Sequence, residues 1–241
     1  METATGEMIE QGQISLKSDL QQHPYVLRVL DKNDVAAVMQ LQRDLIEIME
    51  KKDLYVPITE EEMLSLLEGN GEALGFFINN KMYAACSLLF KVDYENNMAR
   101  ELNFSEKELA RVAQLELSLV DMDLRGHKLQ HKMAGILARR SAEKRRFRYL
   151  FTTVSPYNYA SIQTVTSMGL QIARLCKMYY SWDRYVVFRD MVNPVKLDTD
   201  HPVIVKNTAW PEQQELLSSG YRGFSQFGDE HGIKIMYARI L

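Results

Sequence analysis

Cysteine is almost missing from this chain of 241 residues: only Cys86 and Cys176 occur, far apart and each inside a strand-like run. That excludes a disulfide framework and a thiolate metal site, and it suits a reducing cytosol. The opening METATGEMIEQGQ has no basic start followed by an apolar block, so no secretory signal is expected, and no stretch approaches the roughly 18 uninterrupted apolar residues of a membrane span. Neither sign of charge prevails, 29 Lys and Arg standing against 32 Asp and Glu for a formal −3. The molecule as a whole therefore has no bias toward nucleic acid or an anionic membrane. Neither G-x-S-x-G nor G-x-x-x-x-G-K-S/T is present, which removes the serine-hydrolase and P-loop readings. Internal repeats and low-complexity segments are lacking too.

What remains is an ordinary globular balance, 46% hydrophobic and 25% charged, long enough to bury a sizeable core. Residues 1–24 are polar and read as an N-terminal tail. Tyr25–Leu30 reads as a strand, and Asp31 offers an N-cap to a helix whose apolar residues recur from Val35 to Met49. Thr59 and Glu62 form a capping box before a short helix that stops at Gly69-Asn70-Gly71. A hairpin follows, GFFIN and MYAACSLLF, with Asn79-Asn80 as its turn because Asn tolerates positive φ. Ser105 and Glu108 mark another capping box, and Val112–Val120 reads as a strand. From about His127 to Arg146, Leu129, Met133, Ile136 and Leu137 form one apolar stripe of an amphipathic helix. Strand Tyr149–Val154, helix Asn158–Met168 and strands near Leu170–Lys177 and Arg184–Arg189 complete an α/β mixture with a mixed sheet. Beyond Asp190 lie three of the six prolines, a helix at Pro211–Ser219 and a closing strand IKIMYARIL. Residues 191–241 are thus expected as an extension too small to fold alone.

The stretch LVDMDLRGHKLQHKM, Leu119–Met133, joins a strand directly to a helix. Such a corner presents unpaired backbone N–H groups and the positive end of the helix dipole, a natural seat for phosphate. Arg125, His127 and Lys128 add positive charge at the same place. The alternative is that Arg125-Gly126 is only a tight turn.

V-x(4)-R-G-x-x-L-Q at this corner, followed about thirty residues later by N-x-x-S-x(7)-G-L from Asn158 through Ser161 to Gly169, resembles the GNAT superfamily of acyl-CoA-dependent N-acetyltransferases. The resemblance covers roughly residues 25–190. It implies a GNAT-type mixed α/β fold, its central sheet splayed between two parallel strands and flanked by helices, with 191–241 packed on it as a small C-terminal extension. It also implies acetyl-CoA as co-substrate and no metal. The pyrophosphate would sit on the N–H groups of Arg125, Gly126, His127, Lys128, Leu129 and Gln130. Backbone at Leu119, Val120 and Met122 would hold the acetyl group and upper pantetheine, with an N–H there stabilising the oxyanion. Asn158 and Ser161 would face the pantetheine and phosphate.

Two departures stand out. The family's loop has glycines where this chain has Lys128 and Gln130, and glycine is what allows close phosphate approach. Many members also carry a tyrosine seven residues after the Asn as the general acid; here Val165 stands there. Tyr157 and Tyr159 are the nearest substitutes, with Tyr179, Tyr180 and solvent as others. For the base, an amine of lysine-like pKa near 10.4 is about three orders of magnitude from neutrality at pH 7, so its proton must be taken. Glu116, in phase with Gln114, Ser118 and Val120 on the strand, is the candidate; its alternative is a structural partner to a basic group.

Lesser features have plainer readings. His127 and His131 have metal-ligand spacing but no third ligand in the motif. RRSAEKRRFR, residues 139–148, suits a solvated helix end better than a nucleic-acid patch. Tyr55-Val56-Pro57 either lines an acceptor pocket or simply ends a helix. Two functions follow: an N-acetyltransferase acting on a primary amine, small molecule or peptide, in the cytoplasm, without membrane or nucleic acid; or a GNAT-fold acyl-CoA-binding module with little turnover. Residues 191–241 would close the acceptor pocket or mediate a homodimer.

Overall fold

The structure, a computed structural model, describes residues 6–144 and 147–241. They fall into two compact units: Met1–Glu50, Pro57–Lys91 and Leu115–Lys144 make the first, and Lys51–Val56, Val92–Gln114 and Arg145–Leu241 the second.

The first unit carries strands β1 (Met8–Ser15), β2 (Gln22–Val29), β3 (Gly71–Ile78) and β4 (Lys81–Leu89) in sheet order, followed by the C-terminal part of β5 (Val112–Val120). β1 through β4 run antiparallel. The β3–β4 turn is the expected one, with Asn79 and Asn80 at φ 48° and 64°, the left-handed pair that a two-residue hairpin needs. Helices α1 (Val35–Glu47), α2 (Glu60–Ser65) and α4 (Leu129–Glu143) complete the unit, and both α1 and α4 pack on β4. Asp31, expected to cap α1, instead caps the single 3-10 turn Lys32–Asp34 that leads into it, its carboxylate accepting from Asn33 N at 2.8 Å, while the expected Thr59 cap holds. Glu62 N donates to Thr59 Oγ1 at 3.2 Å, while Thr59 N donates to Glu62 Oε2 at 2.8 Å. Arg28 and Asp34 form a buried, two-pronged ion pair with both N–O distances at 2.7 Å.

Residues 8–15, expected as part of a polar tail, instead form β1, whose half-buried and exposed positions mix too loosely to show a period. The residues just after β1 hold the turn that precedes α4. Lys17 N donates to the Asp123 carbonyl at 3.0 Å and Ser18 Oγ to Asp123 Oδ2 at 2.7 Å. Lys132 of α4 pairs with Glu10.

In the second unit, Val112–Gln114 of β5 pair in parallel with Tyr149–Phe151 of β6 (Tyr149–Val154). The order continues through β8 (Trp182–Asp190), β7 (Gln171–Met178), β10 (Tyr221–Asp229), β11 (Gly232–Ile240) and β9 (Leu197–Lys206), all antiparallel to their neighbours. Helices α3 (Glu106–Leu109), α5 (Tyr159–Ser167) and α6 (Trp210–Ser218) belong here. Phe104 meets the rings of Tyr149, Phe151 and Phe188 edge-on, while Phe151 and Phe188 stack 5.1 Å apart, so aromatic contacts dominate this core.

Residues 191–241 therefore share one compact unit with 147–190. Their sheet joins β7 where Gly223 lies opposite Ile172. A Cβ at Gly223 would come within 2.9 Å of Ile172 Cβ, so the junction needs glycine.

Candidate functional site

In the first unit, β5 carries Glu116, half-buried and in phase with Ser118 and Val120, while Leu115, Leu117 and Leu119 alternate with them and are buried. Asp121 N donates to the Tyr83 carbonyl at 2.8 Å, tying the end of β5 to β4. Met122 is exposed in a single 3-10 turn, Met122–Leu124, anchored by buried Leu124. Then comes the corner. Arg125, Gly126, His127 and Lys128 are exposed, Leu129 is buried, and Gln130 is half-buried.

Two residues of this corner have positive φ: Gly126 at 97° and Lys128 at 56°. The lysine thus adopts the left-handed conformation that glycine favours, with its side chain in solvent. This accounts physically for one departure from the family loop, since the backbone takes a glycine-like turn without the glycine. A Cβ at Gly126 would meet nothing within 4 Å, so backbone conformation and not crowding selects glycine there.

α4 begins without a side-chain cap and without an acidic residue in its first turn. Its residue in the N-cap position is Lys128, the wrong sign for a helix N-terminus. The start of α2 contrasts sharply, having a Thr59 cap and three glutamates in its first turn. A helix of fifteen residues has four N-terminal N–H groups to satisfy. None of these has a side-chain cap, and Arg125, His127 and Lys128 stand exposed just before them.

Other cations, further along the chain, are engaged by carboxylates within the protein. Arg140 binds Glu7 through both Nη atoms and Glu72 through Nε, and Arg148 grips Asp190. Of the run at 139–148, Arg140, Lys144 and Arg148 are ion-paired, while Arg145 and Arg146, like the expected helix end at Arg146, lie outside the described residues. His127 and His131 are both exposed, and among the described residues no group of three His, Cys, Asp or Glu is arranged to hold a metal ion.

The second unit holds the remaining expected residues. Asn158 Oδ1 accepts from Ser161 N at 3.1 Å, so N-x-x-S is in the first place the N-cap of α5. Gly169, at φ 79°, ends the helix, and Arg189 Nη1 donates to the Met168 carbonyl at 2.6 Å. Val165 is buried. Tyr157 donates its hydroxyl to Asp183 Oδ2 at 3.2 Å, and burial, then the Asp183 carboxylate, push its pKa above the ordinary phenol value. Tyr159 is exposed on the first turn of α5. Gln114, in phase with Glu116 on β5, is committed to structure, accepting from Met98 N at 2.8 Å.

Sequence reasoning missed the anchoring of Asp123 by Lys17 and Ser18. The only trace of it was a Lys-Ser pair in a segment with no period.

Comparison with solved structures supplies the fold's relatives. NAA60 of Arabidopsis thaliana in complex with acetyl-CoA is similar with a TM-score of 0.56, at 11% identity over 70% of this chain and 99% of that one. An acetyltransferase of the GNAT family from Streptococcus pneumoniae gives 0.52 at 17% identity, covering 69% and 99%. The ribosomal-protein-S18-alanine N-acetyltransferase of Escherichia coli gives 0.51 at 19%, covering 69% and 94%. At these identities the likeness establishes the fold: this chain has the mixed α/β fold of the GNAT acetyltransferases. No protein-family model and no curated protein matches the sequence.

Proposed function

We propose that this protein transfers the acetyl group of acetyl-CoA to a primary amine. The observation that carries the reading is the uncapped, acid-free start of α4 beneath Arg125, His127 and Lys128, on a fold shared with a protein solved in complex with acetyl-CoA. The amide groups from Arg125 to Gln130 would hold the cofactor's pyrophosphate, and Arg125, His127 and Lys128 would add charge without having to touch it. Acetyl-CoA supplies an activated thioester. Glu116 would take the proton of the attacking amine, directly or through water, and backbone at Leu119, Val120 and Met122 would position the acetyl group. Both cysteines are free, Cys86 buried and pushed up to about 12 by that burial, in keeping with a reducing, cytoplasmic setting. No described helix is long and apolar enough to cross a membrane.

One observation favours a second reading, an acyl-CoA-binding module with little turnover. Val165 is core where many relatives have their acid, and the Tyr157 hydroxyl is engaged by Asp183. Thiol release from acetyl-CoA decides between them. The panel includes small primary amines and peptides with a free N-terminal alanine, because one similar structure is an alanine N-acetyltransferase of a ribosomal protein. Amine-dependent release is expected for at least one acceptor class. Binding of acetyl-CoA with release no faster than in buffer would leave the module reading standing.

A further inference from the structure

One charged group in the second unit has no use in the scheme above. Arg184 is only 2% exposed, yet among the described residues it forms no ion pair. Its Nη1 donates to the Asp183 carbonyl at 2.8 Å, and its buried Nη2 has no hydrogen-bond partner. Arg28, the other arginine that is buried among the described residues, has Asp34 on both prongs.

Strand geometry explains why the carboxylate next to it in sequence, Asp183, does not help. Residues two apart on β8 share a face, so Arg184 points with Trp182, Val186 and Phe188, the last two in the aromatic core. Asp183 points to the opposite face, where Lys177 and Tyr157 engage it. Above Arg184 the β7–β8 turn brings aromatic rings: its guanidinium carbon lies 5.2 Å from the Trp182 ring centre and 5.8 Å from that of Tyr179. Tyr180, the most exposed of these rings, rests 4.8 Å from Trp182. Tyr179 and Ser181 hold this tight turn with φ of 58° and 63°.

A guanidinium out of water without a counter-ion is costly, and aromatic faces return only part of that cost. Burial accordingly pulls its pKa down, against the opposing pull of Tyr179, Asp53 and Asp183. The unfilled prong is a donor with a fixed direction, and planar carboxylates match such a fork. Asp53, close enough to be felt electrostatically, makes the surroundings less welcoming to a doubly charged phosphate than to a single negative charge.

We infer that Arg184, beneath the Tyr179–Trp182 turn, is the receptor for a monocarboxylate whose apolar part lies on the exposed ring of Tyr180 and the half-buried ring of Trp182. The site lies wholly within the second unit and goes beyond the acetyl-transfer reading. Its test needs no acetyl-CoA, so the two can fail separately.

The test is calorimetric titration of the full-length protein with phenylacetate, with phenylacetamide as its neutral twin and inorganic phosphate as the dianion. Phenylacetate is expected to bind at least tenfold more tightly than either. Arg184→Met should abolish that preference while leaving the melting temperature equal or higher, because a buried charge without a partner is removed. Arg184→Lys should keep the charge and lose most of the affinity. Equal binding of acid and amide, tighter binding of phosphate, or no binding of phenylacetate by the wild type would each overturn the assignment. The wild-type comparison decides even if Arg184→Met fails to fold. A stable Arg184→Met protein that still prefers the acid would overturn it as well.

Discussion

Glu116→Gln is expected to lower the rate of amine-dependent thiol release by about 10²-fold or more, the size typical of losing a general base. Glutamine keeps the shape and one acceptor oxygen, so the side chain can stay where it is, half-buried in phase with Ser118 and Val120 on β5. What disappears is the capacity to hold a proton. The pH profile of kcat/KM makes the distinction sharp. In the wild type its acidic limb reports protonation of an essential base; in the variant that limb should vanish, while acetyl-CoA affinity is unchanged. A structural glutamate would give the reverse, a lowered melting temperature with the limb intact.

The second large effect concerns folding. Gln213 of α6 is fully buried and uses its whole amide: Oε1 accepts from Tyr185 Oη at 2.6 Å and Tyr237 Oη at 2.7 Å, and Nε2 donates to the carbonyls of Lys206 and Asn207 at 3.0 and 2.9 Å. One side chain thereby fastens β8, β9 and β11 to α6. Both tyrosines are buried, which raises their pKa values well above the phenol range and keeps the hydroxyls protonated as donors. Gln213→Ala leaves two hydroxyls and two carbonyls to find other partners. At about 1–3 kcal/mol for each group left unsatisfied, and with some mutual rescue between the tyrosines, a loss of about 3 kcal/mol is expected. In a chain of this size that is a fall of roughly 6–12 °C in melting temperature. Gln214→Ala, which removes only a 3.3 Å bond to the Leu175 carbonyl, should cost far less. Equal melting temperatures for the two variants would show that the Gln213 network does not carry the second unit.

Much of this was legible from residue types alone. Caps announce themselves because their chemistry is local: Asp31, Thr59 with Glu62, and Ser105 with Glu108 all stand where a short-range rule puts them. β5 and β6 were legible because buried central strands are nearly continuous apolar runs. β1, β9 and β10 were missed. MIEQGQIS, LDTDHPVIVK and YRGFSQFGD are rich in polar residues, Gly or Pro, and their strands exist because of partners distant in sequence. The two compact units could not be read either, since each gathers three separate stretches of chain.

At the candidate site the corner at Arg125–Gln130 was visible, whereas two details were not. Nothing in the residue pattern says that Lys128 will adopt positive φ, and only the absence of a cap shows how open α4 is. Asn158 illustrates the opposite hazard, because a spacing that suggests a ligand contact also makes a helix cap. Arg184 was within reach of the sequence: WDRYVVF puts it in phase with Trp182 and Val186, a cation on the buried face of a strand.

Amide hydrogen exchange with and without CoA tests the central claim most directly. Slowed exchange at the backbone N–H groups from Arg125 to Gln130, strongest at the uncapped start of α4, is the expected result. CoA that binds while those amides exchange as fast as before would contradict it.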